Sequence, residues 1–293
     1  QGGLAGLAAY ELGDRIEPLN LARHPDWPDL AIGRYPALLA FDHARRRVLA
    51  VGANAADAAR AAAWLDAPDR PTSRTPLVTE ADAPTPAADY EGAVADVIAR
   101  IHAGEYFQAN IARRWSGRLA QDATPFDLLA RLAGQSAAPF ASYLRLPGRA
   151  VVSNSPERFV SVSADGRDLV VETRPIKGTR PRGATPGEDA RLAAELLASD
   201  KDRAENLMIV DLMRNDLSRV CAAGAVTTPE LFRVESFANV HHLVSTVRGR
   251  LAPGLTALDL LEAAFPPGSV TGAPKVQAMK SIARLEPPRG PYC

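Results

Sequence analysis

The feature that most restricts the fold is a pair of valine-rich segments, residues 150–163 and 169–175, separated by the sequence ADGRD at 164–168. Asp and Gly favour the tight turn that joins two antiparallel strands, and β-branched residues favour the strands on either side. The pattern therefore predicts an antiparallel β-hairpin centred near Gly166. The fold must include antiparallel sheet.

Helical periodicity appears on both sides of this hairpin. Apolar residues recur at helical spacing over 89–103, and Gly104 follows as a C-cap. Residues 199–220 are predicted to form a long helix with Ser199 or Asp200 as its N-cap. Further helices are predicted at 55–65, 256–264 and 274–285, and strands at 106–115, 226–237 and 240–251. Because strands and helices come in runs without strict alternation, the pattern predicts the α+β class.

Prolines divide the chain into three parts. Five of them, at positions 68, 71, 76, 84 and 86, fall close together, and Pro lacks the backbone donor that strands and helix interiors use. We predict an N-terminal part of the sheet region at 1–66, a Pro-rich linker or loop at 67–87, and the core at 88–293. The chain starts without Met and stops at Cys293, so we expect both end regions to be truncated, with poor catalysis if the molecule truly stops there.

Composition limits the function classes. The 34 Lys+Arg balance 34 Asp+Glu, for a net charge of zero, which argues against nucleic acid or an anionic membrane as the main partner. With 46% hydrophobic and 23% charged residues, the chain can bury a sizeable core. Only two cysteines and no long apolar run favour a soluble protein of a reducing compartment, the cytoplasm.

Glu157 and Lys177 are brought together by the predicted hairpin. With its centre near Gly166, position 157 faces Pro175, so the two side chains lie roughly 5 to 8 Å apart across the ladder. A surface salt bridge is one interpretation of the pair. The other is catalytic: the chain has four lysines among its 34 Lys+Arg, and a Lys amine, unlike an Arg guanidinium, can become a neutral nucleophile or base.

Acidic residues lie on one side of the predicted helix 199–220. Glu205 and Asp216 are separated by about three helical turns and therefore share a face, with Asp202 close to Glu205. A magnesium ion takes only one or two protein carboxylates with water and substrate oxygens, so Glu205 could suffice as its protein ligand. A solvated helix face is the alternative interpretation.

Two other segments could contact a ligand. His241 and His242 fall in a predicted strand, where a neutral imidazole could donate to a substrate, although a buried, hydrogen-bonded His is the alternative. Residues 266–275 read PPGSVTGAPK and form a Gly-containing turn before a helix, whose first N–H groups could hold an anion. The order GxxxxGK[ST] is lacking, so no nucleotide site is indicated.

Taken together, these segments resemble the chorismate-utilising enzymes, a family that includes anthranilate, aminodeoxychorismate, isochorismate and salicylate synthases. The resemblance covers six ordered motifs and extends weakly to residues 1–13. The six segments are 104–110 (GEYFQAN), 155–159 (SPERF), 172–182, 201–220, 234–249 and 265–293. The resemblance implies an α+β chorismate-binding fold, with two packed, mostly antiparallel sheets flanked by helices, and makes 88–293 the catalytic core.

Two positions bear on which branch of the family the chain resembles. The water-adding members carry a Lys as general base where this chain has Gln108, so isochorismate or salicylate formation is disfavoured. Anthranilate synthases typically read PIAGT where residues 175–179 here read PIKGT, as aminodeoxychorismate synthases do. The resemblance thus implies amination of chorismate at C4, for p-aminobenzoate and folate synthesis, with Lys177 as the deciding residue.

The resemblance also implies roles for individual residues. The Lys177 amine would attack the ring and displace the C4 hydroxyl, Glu157 would act as general acid to that leaving group, and ammonia would then displace the enzyme amine. Glu205 matches the family's Mg²⁺ ligand. The substrate-binding residues implied by the resemblance are Gln108, Thr179, His242, Thr271 and Gly272.

Ammonia would come from a partner glutamine amidotransferase subunit, since nothing in this chain resembles one. Two alternatives stay open at this point. One is an anthranilate synthase component I, and the other is a non-catalytic fragment or scaffold subunit that only binds the amidotransferase.

Overall fold

The structure is a computed structural model that describes residues 2–68 and 77–292 of the chain. Pro71 and Pro76 of the predicted linker, and Cys293, lie outside the described residues. Within the described ranges, none of the helices has the length and apolar character needed to span a membrane.

Five of the described helices, α2 and α4 to α7, start at a capping side chain that the sequence supplies. The Ser199 side chain accepts a hydrogen bond from the backbone N–H of Asp202 at 3.3 Å and begins α6, and Thr256 forms a capping box with Asp259 at the start of α7. The helices in the described part of the chain are α1 (Gly13–Ile16), α2 (Ala55–Ala63), α3 (Ala87–His102), α4 (Pro125–Ser136), α5 (Pro186–Ala198), α6 (Asp200–Ser218), α7 (Ala257–Ala264) and α8 (Lys275–Leu285).

The strands of the described residues pair in antiparallel fashion throughout. They are β1 (Gly3–Ala8), β2 (Leu30–Tyr35), β3 (Ala37–Asp42), β4 (Arg47–Gly52), β5 (Val78–Asp82), β6 (Gln108–Ala109), β7 (Ser116–Leu119), β8 (Phe140–Leu146), β9 (Arg149–Ser155), β10 (Arg158–Asp165), β11 (Asp168–Arg174), β12 (Ile176–Pro181), β13 (Thr227–Ser236), β14 (Val240–Arg250) and β15 (Gly272–Ala273).

The strand β14 organises the main sheet. It pairs with β11 and β12 and also with β13, while β10 extends the sheet beyond β11, so five strands form one sheet. The β11 and β12 strands follow one another along β14 with Pro175 between them, and the backbone N–H of Ser245 donates to the Pro175 carbonyl at 3.2 Å. The predicted hairpin is confirmed, because β10 and β11 meet in the pairs Asp165↔Asp168 and Arg158↔Arg174.

The remaining strands of the described residues form five two-stranded pairs: β1–β2, β3–β4, β5–β7, β6–β15 and β8–β9. The α+β class and the antiparallel pairing are therefore as predicted. The second of the two expected sheets is divided into these separate pairs.

The core lies where α6 and α7 pack on the main sheet. Six of its apolar side chains come from the second half of α6 and the segment that follows it, and Val171 and Val247 contribute from the sheet. A buried aliphatic side chain of this kind stabilises the fold by about 1.5 to 3 kcal/mol. Cys221 belongs to this core, and burial raises the pKa of its thiol, as expected of an inert cysteine.

Three local predictions differ from the structure. The segment 106–115 is mostly irregular, because only Gln108–Ala109 finds a strand partner, β15. The run 150–163 is divided at Pro156 and Glu157, between β9 and β10. Within the predicted linker 67–87, residues Val78–Asp82 form β5 and pair with β7, so that part of the segment is a strand. The three-part division of the chain stays a prediction.

Candidate active site

Glu157 lies in the short connection between β9 and β10 and is half-buried. Its carboxylate accepts a 2.6 Å hydrogen bond from the Ser269 hydroxyl. Burial raises the pKa of Glu157 above its ordinary value, although the Ser269 hydrogen bond, the Lys177 charge and the Ile176 backbone N–H act in the opposite direction. A carboxyl of this kind keeps its proton to higher pH than an exposed one, as a general acid must.

Lys177 lies on a β-bulge of β12. The register of β12 against β14 slips by one residue between Ile176 and Thr179, so that Lys177 and Gly178 together occupy the place of one residue. A bulge redirects the side chain it carries and is common beside active sites. Lys177 is half-buried, and its positive charge lowers the pKa of Glu157. The amine is therefore close enough to the acid for its charge to act on Glu157. Because Lys177 lies on β12, which pairs with β14, the separation predicted across the hairpin ladder stays a prediction.

Gly178 allows the bulge to approach α6. Its φ is +89°, and a Cβ atom there would lie 2.9 Å from both Asp202 Cβ and Leu196 Cδ1. Only glycine adopts this backbone conformation without strain and also leaves the helix room to pack. The first turn of α6 is thus held against the residue that follows Lys177.

We expect Gly178→Ala to lower the free energy of unfolding by about 2 to 4 kcal/mol, since it adds backbone strain to a steric clash. Urea unfolding followed by circular dichroism measures the change. Gly92→Ala is the matched control, because nothing lies within 4 Å of its added Cβ in the exposed face of α3, and it should stabilise slightly. Equal stability of the Gly178→Ala and wild-type proteins would contradict this account.

The predicted residues Thr179 and His242 form a pair on adjacent strands. Thr179 Oγ1 lies 2.9 Å from His242 Nδ1, and Thr179 and His242 are register partners in the β12–β14 ladder. Burial lowers the pKa of His242, with Glu235 opposing the shift, so the imidazole is neutral near pH 7. Nδ1 is engaged by Thr179, which leaves Nε2 as the nitrogen that could meet a ligand.

The adjacent His241 serves the fold. Its Nδ1 lies 2.7 Å from Ser236 Oγ and its Nε2 lies 3.0 Å from Asp189 Oδ1. With 1% of its surface exposed and both ring nitrogens engaged, it has no nitrogen left for a substrate.

The predicted residues Gln108, Thr271 and Gly272 lie together at the β6–β15 pair. A Cβ at Gly272 would lie 2.1 Å from the Gln108 carbonyl oxygen, so glycine is required for the two strands to meet. Thr271 is fully buried, and its hydroxyl donates to the Pro267 carbonyl at 3.0 Å. That hydroxyl therefore stabilises the turn that presents Gly272, and substrate binding by these three residues stays a prediction.

A cavity of about 250 Å³ lies next to Glu157, which is the one predicted site residue that lines it. Glu157, Thr173, Met213 and Ser269 are among its lining residues, so the cavity lies between the main sheet, α6 and the turn before α8. Glu157 also lines a neighbouring cavity of about 660 Å³ on the β10 side. The acid thus has access to space on two sides.

Comparison with known proteins identifies the family to which this site belongs. The model of the chorismate binding enzymes matches residues 1–293. The chain belongs to the chorismate-binding enzyme family. Aminodeoxychorismate synthase component 1 of Klebsiella aerogenes is 45% identical over 291 residues, which are 98% of this chain and 63% of that protein. Anthranilate synthase component 1 of Streptomyces coelicolor is 43% identical over 317 residues, covering 99% of this chain and 61% of that protein.

A solved structure agrees with this family assignment. Anthranilate synthase component I from Streptococcus pneumoniae TIGR4 superposes with a TM-score of 0.85 at 29% identity, covering 99% of this chain and 67% of that one. The chain spans less than two thirds of the length of the curated relatives named above. The comparisons confirm the fold predicted from the sequence motifs.

The acidic residues of α6 have different surroundings in this family member. Asp216 is buried, and its carboxylate forms an ion pair with the Lys275 ammonium at 2.7 Å. The Asp202 carboxylate lies 3.1 Å from the Arg180 guanidinium. Glu205 retains a half-exposed carboxylate, with Lys201 3.9 Å away. The shared face predicted for Glu205 and Asp216 therefore does not make a common metal site, and no cluster of three or more potential metal ligands occurs among the described residues.

Glu205 by itself fits a weakly protein-bound hard cation. Its neighbour Asn206 is buried and holds α6 on β14, because its Nδ2 donates to the Leu243 carbonyl at 3.1 Å and its Oδ1 accepts from Ser245 Oγ at 2.5 Å. Asp202, one turn before Glu205, packs against Gly178. Glu205 consequently lies on the helical turn next to the bulge that carries Lys177, with one carboxylate available for a magnesium ion.

Three interactions of the site were not predicted from sequence. They are the Ser269 hydrogen bond to Glu157, the hydrogen bonds by which Asn206 holds α6 on β14, and the Lys275–Asp216 ion pair. The rarity of lysine offered a signal for Lys275, one of only four in the chain. Ser269 and Asn206 carry no comparable signal, because small polar residues are common and their partners lie far away in sequence.

Proposed function

We propose that this chain catalyses the amination of chorismate to 4-amino-4-deoxychorismate, as an aminodeoxychorismate synthase component I. The observation that carries the proposal is Lys177, the Lys of PIKGT, placed on a bulge beside the half-buried Glu157. The similarity to proteins named aminodeoxychorismate synthase component 1, at 45% identity over 98% of this chain, supports it further.

The proposed chemistry has two displacements. The neutral Lys177 amine forms a C–N bond with the ring as the C4–O bond breaks, and the Glu157 proton passes to the departing hydroxyl, which leaves as water. The adduct is a secondary ammonium, which keeps its proton until the second displacement. Ammonia then forms its own C–N bond at C4 as the Lys177 amine departs, neutral, with the electron pair of its bond to the ring. One proton passes from the new ammonium group to the Glu157 carboxylate, which regenerates the enzyme.

The binding groups complete this proposal. Gln108 and the Thr271–Gly272 turn lie at the β6–β15 pair, and Thr179 and His242 are register partners on β12 and β14. We assign these five residues to substrate binding. When bound, Mg²⁺ at Glu205 would neutralise the ring carboxylate and orient the substrate.

The proposed activity is tested by incubating the intact protein with chorismate, ammonium and magnesium and identifying the product by mass spectrometry. We expect aminodeoxychorismate and no pyruvate. Similarity to proteins named anthranilate synthase component 1 makes that activity the second candidate function. Formation of anthranilate and pyruvate in the absence of any lyase would establish it. A non-catalytic scaffold would give no product and no magnesium-dependent binding of chorismate by calorimetry.

We expect Glu205→Gln to raise the magnesium concentration needed for half-maximal chorismate binding by about tenfold or more, because an amide lacks the charge that holds a hard cation. Isothermal titration calorimetry at a series of magnesium concentrations measures this. Asp211→Asn, an exposed acid on the same helix paired with Arg214, should leave the magnesium dependence unchanged. An unaltered dependence in Glu205→Gln would remove Glu205 as the ligand.

We also propose that a glutamine amidotransferase subunit supplies the ammonia. The word "component" in the relatives' names supports a partner. Measured with the purified chain alone, turnover should depend on ammonium and be absent with glutamine. Glutamine-dependent turnover by the single chain would contradict the proposal.

A further inference from the structure

The turn before α8 reaches across the site to the proposed acid. Ser269 lies in the one-turn helix Gly268–Val270, and its hydroxyl donates to Glu157 Oε1 at 2.6 Å. The two residues are 112 positions apart in the chain. A hydroxyl bond to a carboxylate at this distance is short and charge-assisted, which makes it stronger than an ordinary hydrogen bond.

The turn that carries Ser269 is itself fixed from both ends. The Lys275 ammonium binds Asp216 of α6 at 2.7 Å and the Ala264 carbonyl at the end of α7 at 2.5 Å. Between these anchors, the Thr271 hydroxyl donates back to the Pro267 carbonyl at 3.0 Å. The Ser269 hydroxyl is thus held in place by a rigid loop.

From this geometry we infer that Ser269 is a positioning residue, which orients the Glu157 carboxyl toward the cavity and sets the pH range over which it holds its proton. The inference rests on the proposed function, in which Glu157 is the general acid. It assigns the tuning of that acid to a residue on a different element of the fold.

Several groups surround Glu157, and Ser269 supplies the uncharged side chain that acts on its pKa through a hydrogen bond. From β12, Lys177 contributes a positive charge that lowers the pKa of Glu157, and burial raises it. On β10, the Arg158 charge is shared with Glu172 at 3.2 Å. From α6, the cavity is lined by the uncharged Met213.

Two other charged groups each have an acidic partner. Lys275 is paired with Asp216, and Arg248 of β14 is paired at 2.8 Å with Glu172, the carboxylate that also binds Arg158. The Ser269 hydroxyl is therefore the group on the turn that stabilises the ionised form of Glu157 directly. Its hydrogen bond lowers the pKa of Glu157 in opposition to burial.

The test is the pKa of Glu157, measured in the intact chain by carbon-13 NMR of ¹³Cδ-labelled glutamate, with the resonance assigned by its loss in Glu157→Gln. In Ser269→Ala we expect the Glu157 pKa to rise by about one unit, the value of one hydrogen bond to a charged group. Ser269→Thr, which keeps the hydroxyl, should restore the wild-type value. Ser161→Ala, which removes a hydroxyl of β10 bonded to Arg158, should leave it unchanged.

An unchanged pKa in Ser269→Ala, or an equal rise in Ser269→Thr, would overturn the inference. If Ser269→Ala does not fold, Ser269→Cys must give a smaller rise, because a thiol is a weaker donor; no rise there overturns the inference as well. The Glu157 pKa is measured without turnover. A negative result in this experiment therefore overturns the inference about Ser269 and leaves the proposed function untouched. If the NMR shift occurs while Glu157→Gln remains fully active, the acid role of Glu157 in the proposed function fails and the tuning by Ser269 stands.

In turnover, the basic limb of the pH–rate profile should move upward by the same one unit in Ser269→Ala and return in Ser269→Thr. A merely structural role for Ser269 would lower the rate at all pH values without moving the limb.

Discussion

Replacing Lys177 by Ala should lower the rate of aminodeoxychorismate formation by about 10³-fold or more, because the variant lacks the amine to which we assign the covalent intermediate. Ala is also the residue that anthranilate synthases typically carry at this position. The measurement is product formation from chorismate and ammonium, together with intact mass spectrometry after a rapid quench. Wild-type protein should show an adduct of chorismate minus water, and the variant should show none.

The matched control for this substitution is Lys280→Ala, which removes an exposed lysine from α8 and should keep the full rate. Circular dichroism should show both variants folded. Unimpaired aminodeoxychorismate formation by Lys177→Ala would remove the covalent role, and formation of anthranilate and pyruvate by the wild-type chain would remove the proposed reaction itself.

Replacing Glu157 by Gln should lower the rate by about 10² to 10⁴-fold, the usual contribution of a positioned general acid. Gln keeps the size and can still accept the Ser269 hydrogen bond, but it has no proton to give to the leaving hydroxyl. In the wild-type chain the acid must start protonated, so the rate should fall as pH rises through the Glu157 pKa, which burial raises. The variant should lose this limb of the pH–rate profile.

The same substitution should stabilise the fold. Because the pKa of Glu157 is raised in the folded state, the stability it contributes is present below the unfolded-state pKa and is lost as pH rises through the folded-state pKa. At pH 7 the buried charge therefore costs stability, and Glu157→Gln should have a higher melting temperature than wild type, with the difference disappearing at acidic pH. Glu91→Gln, an exposed residue of α3, should change neither rate nor melting temperature; a Glu157→Gln variant with the wild-type rate would exclude the acid role.

Local patterns predicted the elements whose determinants are close together in sequence. The Gly166 turn joins β10 to β11 because positive φ and flanking β-branched residues act over a few positions. The α6 helix begins after Ser199 because the capping hydroxyl and the backbone N–H that donates to it are three residues apart. The segment 106–115 shows the limit: its alternation predicted a strand, but only Gln108–Ala109 is paired, with residues far along the chain.

By itself, the sequence determined the family, the α+β class and the hairpin. Its register also led to the prediction that Glu157 and Lys177 lie close together. These features depend on the residues of short motifs, on hydrophobic periodicity and on the spacing of residues from a turn. All three can be read along the chain. Only the tertiary structure decided the bulge that directs Lys177, the 2.6 Å bond from Ser269 to Glu157, and the separation of Asp216 from Glu205 by the buried Lys275 pair. The physical reason is that hydrogen bonds and ion pairs between distant residues act only after packing brings the residues together, and no local pattern records which partner each of them meets.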